Sequence, residues 1–351
     1  RESVAKRCAG FPGEYWRKLE DTRAYPAEFV GALTESGFLG ALIPEEYGGA
    51  GLPLRAAAVI LETIHKHGCN AGACHAQMYI MGTLLRHGSA EQKKHYLPGI
   101  ASGKLRLQAF GVTEPSTGSD TTQLKTRALR DGDHYVINGQ KVWTSEGLSV
   151  FLIDIRAARG CGLEIRPLDA MINHNATEVF FNDLRIPADS LIGKEGEGFR
   201  YILDGMNAER ILIAAEALGD AQYFIARAAQ YSKERVVFGK PIGQNQAVQF
   251  PIARAYAETE AASLMARKAA ALFDAGEPCG AEANMAKLLA ADASWNAAEA
   301  CMAAFGGFGF AREYDIERKW RETRLFRTAP ISTNMVLAFI GQHVLGMPRS
   351  Y

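Results

Sequence analysis

One acid and one proline frame the chemistry open to this sequence. In GMNAERILIAAE, Glu209 follows a helical pattern, with Gly205 and Met206 one turn before it and Leu212 and Ile213 one turn after. None of these is a cation. A carboxylate in such company is poorly solvated and readily takes up a proton, as a general base in a closed site must. A solvent-facing Glu, or a partner for Arg210, is the plainer alternative. Near the C-terminus, RLFRTAPISTNMVLAF offers a loop's proline and hydroxyls but no acid. Glu313, Asp315, Glu317 and Glu322 precede it, and no carboxylate follows Glu322. Glu317 has Arg321 at i+4 and reads as a structural ion pair.

Two other stretches could hold a flat, anionic ligand. GVTEPSTGSD (111–120) leaves an alternating segment, turns at Pro115 and presents hydroxyls and backbone N–H groups suited to an anion or a polar ring edge. A satisfied turn has the same composition. In NGQKVWTSE, Trp143 could stack on a ring while Ser145 donates to it, although a lone Trp at a strand end is more often core. HKHGCNAGACH gathers His65, His67, Cys69, Cys74 and His75, but without the paired spacing of a tetrahedral zinc site. A helix–helix corner with small residues explains it as well.

The elements that must position these residues change texture twice. Residues 1–108 read as helices joined by short loops, several ending in Gly; SAEQKKHYLPGIASG starts at a Ser cap and is predicted to stop near Pro98. Residues 109–195 read as antiparallel hairpins. TRALRDGDHYVINGQKVWTS gives strand, turn at Asp131–Gly132 and a second strand bounded by its NG, and LSVFLIDI, GLEIRPLD and TEVFFNDLRIP are further strands. From 196 to 351 the period is helical again, with Ile211, Ala215, Leu218 and Ile225 on one face. The expected class is α+β: an N-terminal helical domain, a middle antiparallel β domain and a C-terminal helical bundle.

Composition narrows the function. The chain has 351 residues, 48% hydrophobic, with a formal net charge of zero. That is enough for a large core and more than one domain, and it gives no electrostatic footprint for nucleic acid or an anionic membrane. No run reaches the roughly 18 apolar residues of a membrane helix. Six scattered cysteines suit a reduced compartment. The expectation is a cytoplasmic protein if bacterial and a mitochondrial-matrix protein if eukaryotic, with an incomplete N-terminus.

Two more motifs, ERVVFGKPIGQNQAVQF (234–250) and FGGFGFAREYDIERKWRETR (305–324), complete a pattern with those above. In this order, over almost its whole length, the chain resembles the acyl-CoA dehydrogenase family of flavoproteins. The resemblance implies a C-terminal four-helix bundle, and FAD between the β domain and that bundle, reaching across a subunit interface in a homotetramer of paired dimers. It implies that Phe110, Val112, Thr113, Gly118 and Ser119 line flavin and thioester. Trp143 and Ser145 would hold the isoalloxazine, and Ser332 and Asn334 would sit beside it. From a neighbouring subunit, Arg235 would reach the pyrophosphate, Phe238 and Gln246 the adenosine end, and the backbone of Gly306 and Gly307 would approach the cofactor. The implied reaction desaturates an acyl-CoA: a carboxylate removes the α proton, a β hydride passes to flavin N5, and electrons leave to an electron-transfer flavoprotein.

The base is where this chain departs from many members. Their Glu lies in a YEGT stretch; here the matching stretch is APIS, and Pro330 stands at the Glu position. Proline neither accepts a proton nor offers a backbone N–H to the thioester oxygen; the N–H of Ile331 is the nearest substitute. Isovaleryl- and long-chain-type members carry the base directly before an Arg on an early bundle helix, and the matching residue is Glu209, with Arg210 implied near the pantetheine or phosphates. Ala303 replaces a Gln common in the family. WTSE runs straight into GLSVFL, where the family usually has about 25 further residues, more than ordinary loop variation. An acyl-CoA oxidase or flavin monooxygenase of the same superfamily, or a non-catalytic FAD-binding relative, are the alternatives. Oxygen reactivity separates the first two from a dehydrogenase; zero charge argues against a DNA-binding relative.

Overall fold

A computed structural model describes residues 1–107, 111–117, 124–141, 149–172 and 176–349. The N-terminal part is helical: α1 (Glu2–Cys8), α2 (Gly13–Thr22), α3 (Ala27–Glu35), α4 (Leu54–Lys66), α5 (Gly72–His87) and α6 (Ala90–Ala101). α6 opens with a capping box: Ser89 Oγ accepts from Gln92 N at 3.1 Å, and Ser89 N donates to Gln92 Oε1 at 2.9 Å. The helix does not stop at Pro98 as predicted. Leu97 and Ile100 are both buried in a cluster with Ile43, Met81 and Leu84, and that packing carries the helix past the missing N–H.

The β part comprises β1 (Arg127–Asp131), β2 (His134–Lys141), β3 (Val150–Phe151), β4 (Leu163–Pro167), β5 (Thr177–Pro187) and β6 (Leu191–Ile192). The main sheet has the antiparallel order β1-β2-β5-β4, and β3 pairs β6. Tyr135, Ile137, Leu184 and Ile186 alternate inward to form its core. The Asp131–Gly132 turn stands as predicted, with Gly132 at φ +62°. Two expectations are corrected. The NG does not bound β2; the strand continues through a bulge at Gly139, φ +144°. Asn138 and Asp183 exchange two hydrogen bonds of 2.9 Å across that bulge and hold the pairing. LSVFLIDI forms only the short β3, because Asp154 accepts from Arg156 N and starts a helical turn, α7 (Ile155–Ala158).

The C-terminal part is built on α8 (Gly198–Glu234), followed by the hairpin β7 (Val236–Val237) and β8 (Lys240–Pro241). Then come α9 (Gln246–Asp274), α10 (Gly280–Phe305), α11 (Ile316–Arg324) and α12 (Thr333–Phe339). Ala-rich faces let α8, α9 and α10 approach closely, with Ala214, Ala217, Ala262, Ala283, Ala286 and Ala290 all buried. α4 also crosses α8 tightly: a Cβ at Gly219 on α8 would lie 2.3 Å from Glu62 O and 2.6 Å from His65 Cβ, so only glycine permits this crossing. α4 thus crosses the middle of α8, and α5 runs against the half that carries Glu209. Among the described residues, no helix is long and apolar enough to cross a membrane.

Candidate active site

Glu209 is buried at 7% exposure. Its surroundings are not the purely apolar ones that its own helix suggested. α5 brings His75 across, with His75 Nε2 4.0 Å from Glu209 Oε1. No Lys or Arg pairs with Glu209 among the described residues. Arg210, also buried, donates to Asn207 Oδ1 at 3.1 Å. No carboxylate pairs with it within 4.0 Å among the described residues, and burial lowers its pKa. A buried guanidinium without a carboxylate is suited to an incoming anion or thioester oxygen.

The other acids near the C-terminus are committed elsewhere. Arg321 Nε lies 2.8 Å from Glu317 Oε2, as the i+4 spacing predicted. Glu322 lies 2.8 Å from both Arg318 Nη1 and Lys319 Nζ. Burial pushes the Glu322 carboxyl up, but the two cations bring it down to about 2, where it is useless as a base near neutrality.

The loop around Pro330 is tied to the same end of α8. Lys287 on α10 donates to Ile331 O at 2.7 Å. Burial lowers its pKa to about 8, and Arg210 contributes to that lowering, which places Arg210 and Lys287 in one electrostatic neighbourhood. Ser332 caps α12 by accepting from Met335 N at 3.4 Å, and Asn334 is exposed.

Arg235, Phe238, Gln246, Gly306 and Gly307 gather at the opposite end of the long helices. Arg235 ends α8, Gln246 begins α9, and Phe305 ends α10 and stacks on Tyr231 with centroids 4.0 Å apart. The Arg235 guanidinium lies 5.8 Å from the Phe308 ring centroid, and Phe238 is 99% exposed. Gly306 has φ +57°, and a Cβ at Gly306 or Gly307 would meet no atom within 4 Å. Along α8 this end is about 39 Å from Glu209, at the roughly 1.5 Å rise per residue of an α-helix.

In the loop 111–117, Val112 and Thr113 are buried, and the organiser is Glu114. Its carboxylate accepts from Lys125 N at 2.7 Å, Thr126 N at 2.8 Å and Lys141 Nζ at 3.0 Å, while Lys141 also donates to Val112 O at 3.1 Å. Burial opposes ionisation of Glu114, but these donors outweigh it and hold its pKa at about 2; Lys141 is depressed by burial, which Glu114 only partly offsets. Glu114 therefore stabilises the fold fully above its ordinary carboxyl value of 4.5, and the contribution is lost as pH falls towards about 2. Glu114→Ala strands the Lys141 ammonium and should cost about 3 kcal/mol. Melting curves should show the variant's deficit at pH 7 shrinking as pH falls below 4.

Phe110, Gly118, Ser119, Trp143 and Ser145 lie outside the described residues. The sequence reading singled out neither Lys287 nor Glu114. His75 stood in the His/Cys corner, where soft-ligand types drew attention to metal; among the described residues no group of three or more His, Cys, Asp or Glu could hold one. That corner is a helix–helix junction, with Cys69 and Cys74 in the core.

Comparison with known proteins agrees across the chain. Family models for the acyl-CoA dehydrogenase N-terminal, middle and C-terminal domains match residues 1–104, 109–148 and 196–345. The chain is 36% identical over 374 aligned positions to acyl-CoA dehydrogenase FadE12 of Mycobacterium tuberculosis, covering 100% of this chain and 96% of that protein. It is 34% identical to glutaryl-CoA dehydrogenase of Desulfococcus multivorans, covering 100% and 95%. Among solved structures, a glutaryl-coenzyme A dehydrogenase in complex with glutaryl-CoA superposes with a TM-score of 0.91 at 31% identity, covering 99% of this chain and 95% of that one. Butyryl-CoA dehydrogenase from Megasphaera elsdenii superposes with a TM-score of 0.89 at 28% identity, covering 98% and 97%.

Proposed function

The chain belongs to the acyl-CoA dehydrogenase family, and from that premise we propose that it desaturates an acyl-CoA thioester between its α and β carbons, with Glu209 as the base. It is an oxidoreductase of a flavoprotein family whose cofactor is FAD. The observation that carries the reading is the disposition of the acids. Glu209 is buried beside the Arg210–Lys287–Ile331 neighbourhood without a Lys or Arg ion pair among the described residues, while Glu317 and Glu322 are locked in ion pairs and Pro330 offers no carboxylate.

The described residues fit the cofactor. The open backbone of Gly306 and Gly307, with Arg235 and the exposed ring of Phe238, suits a pyrophosphate and an adenosine. That end of the helices is too far from Glu209 to serve the same flavin, which favours a dimer or tetramer in which each chain completes its neighbour's site. Val112, Thr113, Ser332 and Asn334 would hold the ring system, and by the family resemblance so would Phe110, Gly118, Ser119, Trp143 and Ser145; Ser119 would also meet the thioester. When bound, FAD supplies the acceptor for the substrate's β hydride.

The chain's own work is the proton and the carbonyl. Glu209 takes the α proton, and its burial keeps water from competing for that position. Removal of the proton drives charge onto the thioester oxygen, which needs a donor. Pro330 has none, and Ile331 N–H is the proposed replacement, on a residue whose own carbonyl is anchored by Lys287. Arg210 holds an anionic or carbonyl part of the acyl-CoA. An electron-transfer flavoprotein is the proposed electron acceptor.

Anaerobic titration with a panel of acyl-CoA thioesters should bleach the flavin with at least one of them, and the reduced protein should react slowly with oxygen. No bleaching with any thioester contradicts desaturation; rapid reoxidation by oxygen indicates an oxidase instead.

A further inference from the structure

α5 and α8 pack so that one imidazole faces two carboxylates. His75 Nδ1 lies 2.9 Å from Glu216 Oε1, and His75 Nε2 lies 4.0 Å from Glu209 Oε1. Glu209 and Glu216 are about two turns apart on one face of α8, so the ring bridges successive acidic positions. Exposures are 8% for His75, 7% for Glu209 and 3% for Glu216. Neither contact has hydrogen-bond geometry; the ring meets the two acids through charge, and only the cation attracts both.

The next histidine along does not relieve it. His65 Nε2 is 3.5 Å from Glu216 Oε2, but that nitrogen accepts Ala71 N–H at 3.1 Å. Its Nδ1–H is directed at Asp220 Oδ1, 2.8 Å away. His65 Nε2 is thus already occupied by a backbone donor and offers Glu216 no hydrogen bond. The other ionisable groups around the pair are Cys74 and Tyr79 on α5, Arg210 on α8, His65 on α4 and Lys319 on α11. Tyr79 covers the imidazole, its ring centroid 5.0 Å away.

We propose that His75 is a positioning residue for Glu209: its imidazolium spans Glu209 and Glu216 across the α5–α8 contact and fixes the orientation and charge of the Glu209 carboxylate. The inference rests on Glu209 being the base. The electrostatics agree with the geometry. Burial alone lowers the His75 pKa, but the charges of Glu216 and Glu209 outweigh it and raise it to about 10. Burial raises the pKa of Glu216, yet His75 pulls it below its ordinary value. His75 thus stays charged through neutrality, and the α-proton acceptor works beside a fixed cation.

Removing a cation within about 4–6 Å of a carboxylate favours the neutral acid, typically by one unit or more. His75→Gln should therefore move the acid limb of kcat/KM up by about one pH unit and slow flavin reduction up to about tenfold at pH values below that limb, with KM for the acyl-CoA within about twofold of wild type. His75→Lys, which restores a cation, should return the limb towards wild type. Independently of any variant, a ¹³Cε1 spectrum of the eight histidines in the holoenzyme should keep one signal at the imidazolium position at pH 8.5. An unmoved acid limb and unchanged reduction rate in His75→Gln, or no imidazolium signal at pH 8.5, overturns the proposal. Glu209→Gln run in parallel separates the two readings. If it reduces flavin at the wild-type rate, the base assignment is wrong; if it is inactive while His75→Gln leaves the limb in place, only the role of His75 is wrong.

Discussion

Glu209→Gln lowers the rate constant for flavin reduction by acyl-CoA by about 10²–10⁴-fold, the usual worth of a positioned general base. The amide keeps the shape and one hydrogen-bonding oxygen but cannot take a proton at neutral pH. FAD content and the affinity for acyl-CoA should stay close to wild type, because no Lys or Arg pairs with Glu209 among the described residues and the His75 imidazolium keeps Glu216. Stopped-flow absorbance under anaerobic conditions reads the rate directly. Glu317→Gln is the matched control: it removes a carboxylate already paired with Arg321, and reduction should be unaffected.

The second large effect is on stability. Lys319 is 0% exposed, and its ammonium lies 2.6 Å from Asp220 Oδ1 and 2.8 Å from Glu322 Oε2, while donating to Cys69 O at 3.1 Å. These contacts join α11 to α8 and to the α4–α5 corner at one point. Arg318 continues the network, contacting Glu322 at 2.8 Å and donating to Gly68 O at 2.9 Å. Removing one partner of a buried ion pair leaves the other charged and desolvated, typically at about 3–5 kcal/mol. Lys319→Ala should lose about that much unfolding free energy in denaturant, since Asp220 has 0% exposure and no water to turn to. A loss under about 1 kcal/mol would show that the network is not a structural tie.

Much of the architecture is legible in one sequence because it rests on local periodicity. The helical period around Ile211, Ala215 and Leu218 marks α8, which is buried on every side from Ala208 to Ala221, and Asp131–Gly132 marks the hairpin because few residues accept φ +62°. Where local signals misled, a distant partner decided. Pro98 does not end α6 because Ile100 is held in the core, and Asn138–Gly139 does not end β2 because Asp183 closes the bulge. The site divides the same way. Glu209 could be picked out because its helix neighbours are apolar, and that burial is local information. His75, Lys287 and Asp220 acquire their meaning only when α5, α10 and α4 pack against α8, more than a hundred residues away for His75. Nothing in the pattern HKHGCNAGACH says which histidine meets which acid; the packing of α4 and α5 on α8 does.

The central claim is that the α proton goes to Glu209 and not to a group in the APIS loop. Hydrogen exchange at the substrate α carbon reads that transfer without the hydride step. A slowly oxidised acyl-CoA is incubated with holoenzyme in D₂O and followed by mass spectrometry. Wild type should incorporate deuterium at the α position, and Glu209→Gln should show none above the enzyme-free background. Deuterium uptake by Glu209→Gln at the wild-type rate would contradict the account and return the search for the base to the rest of the chain.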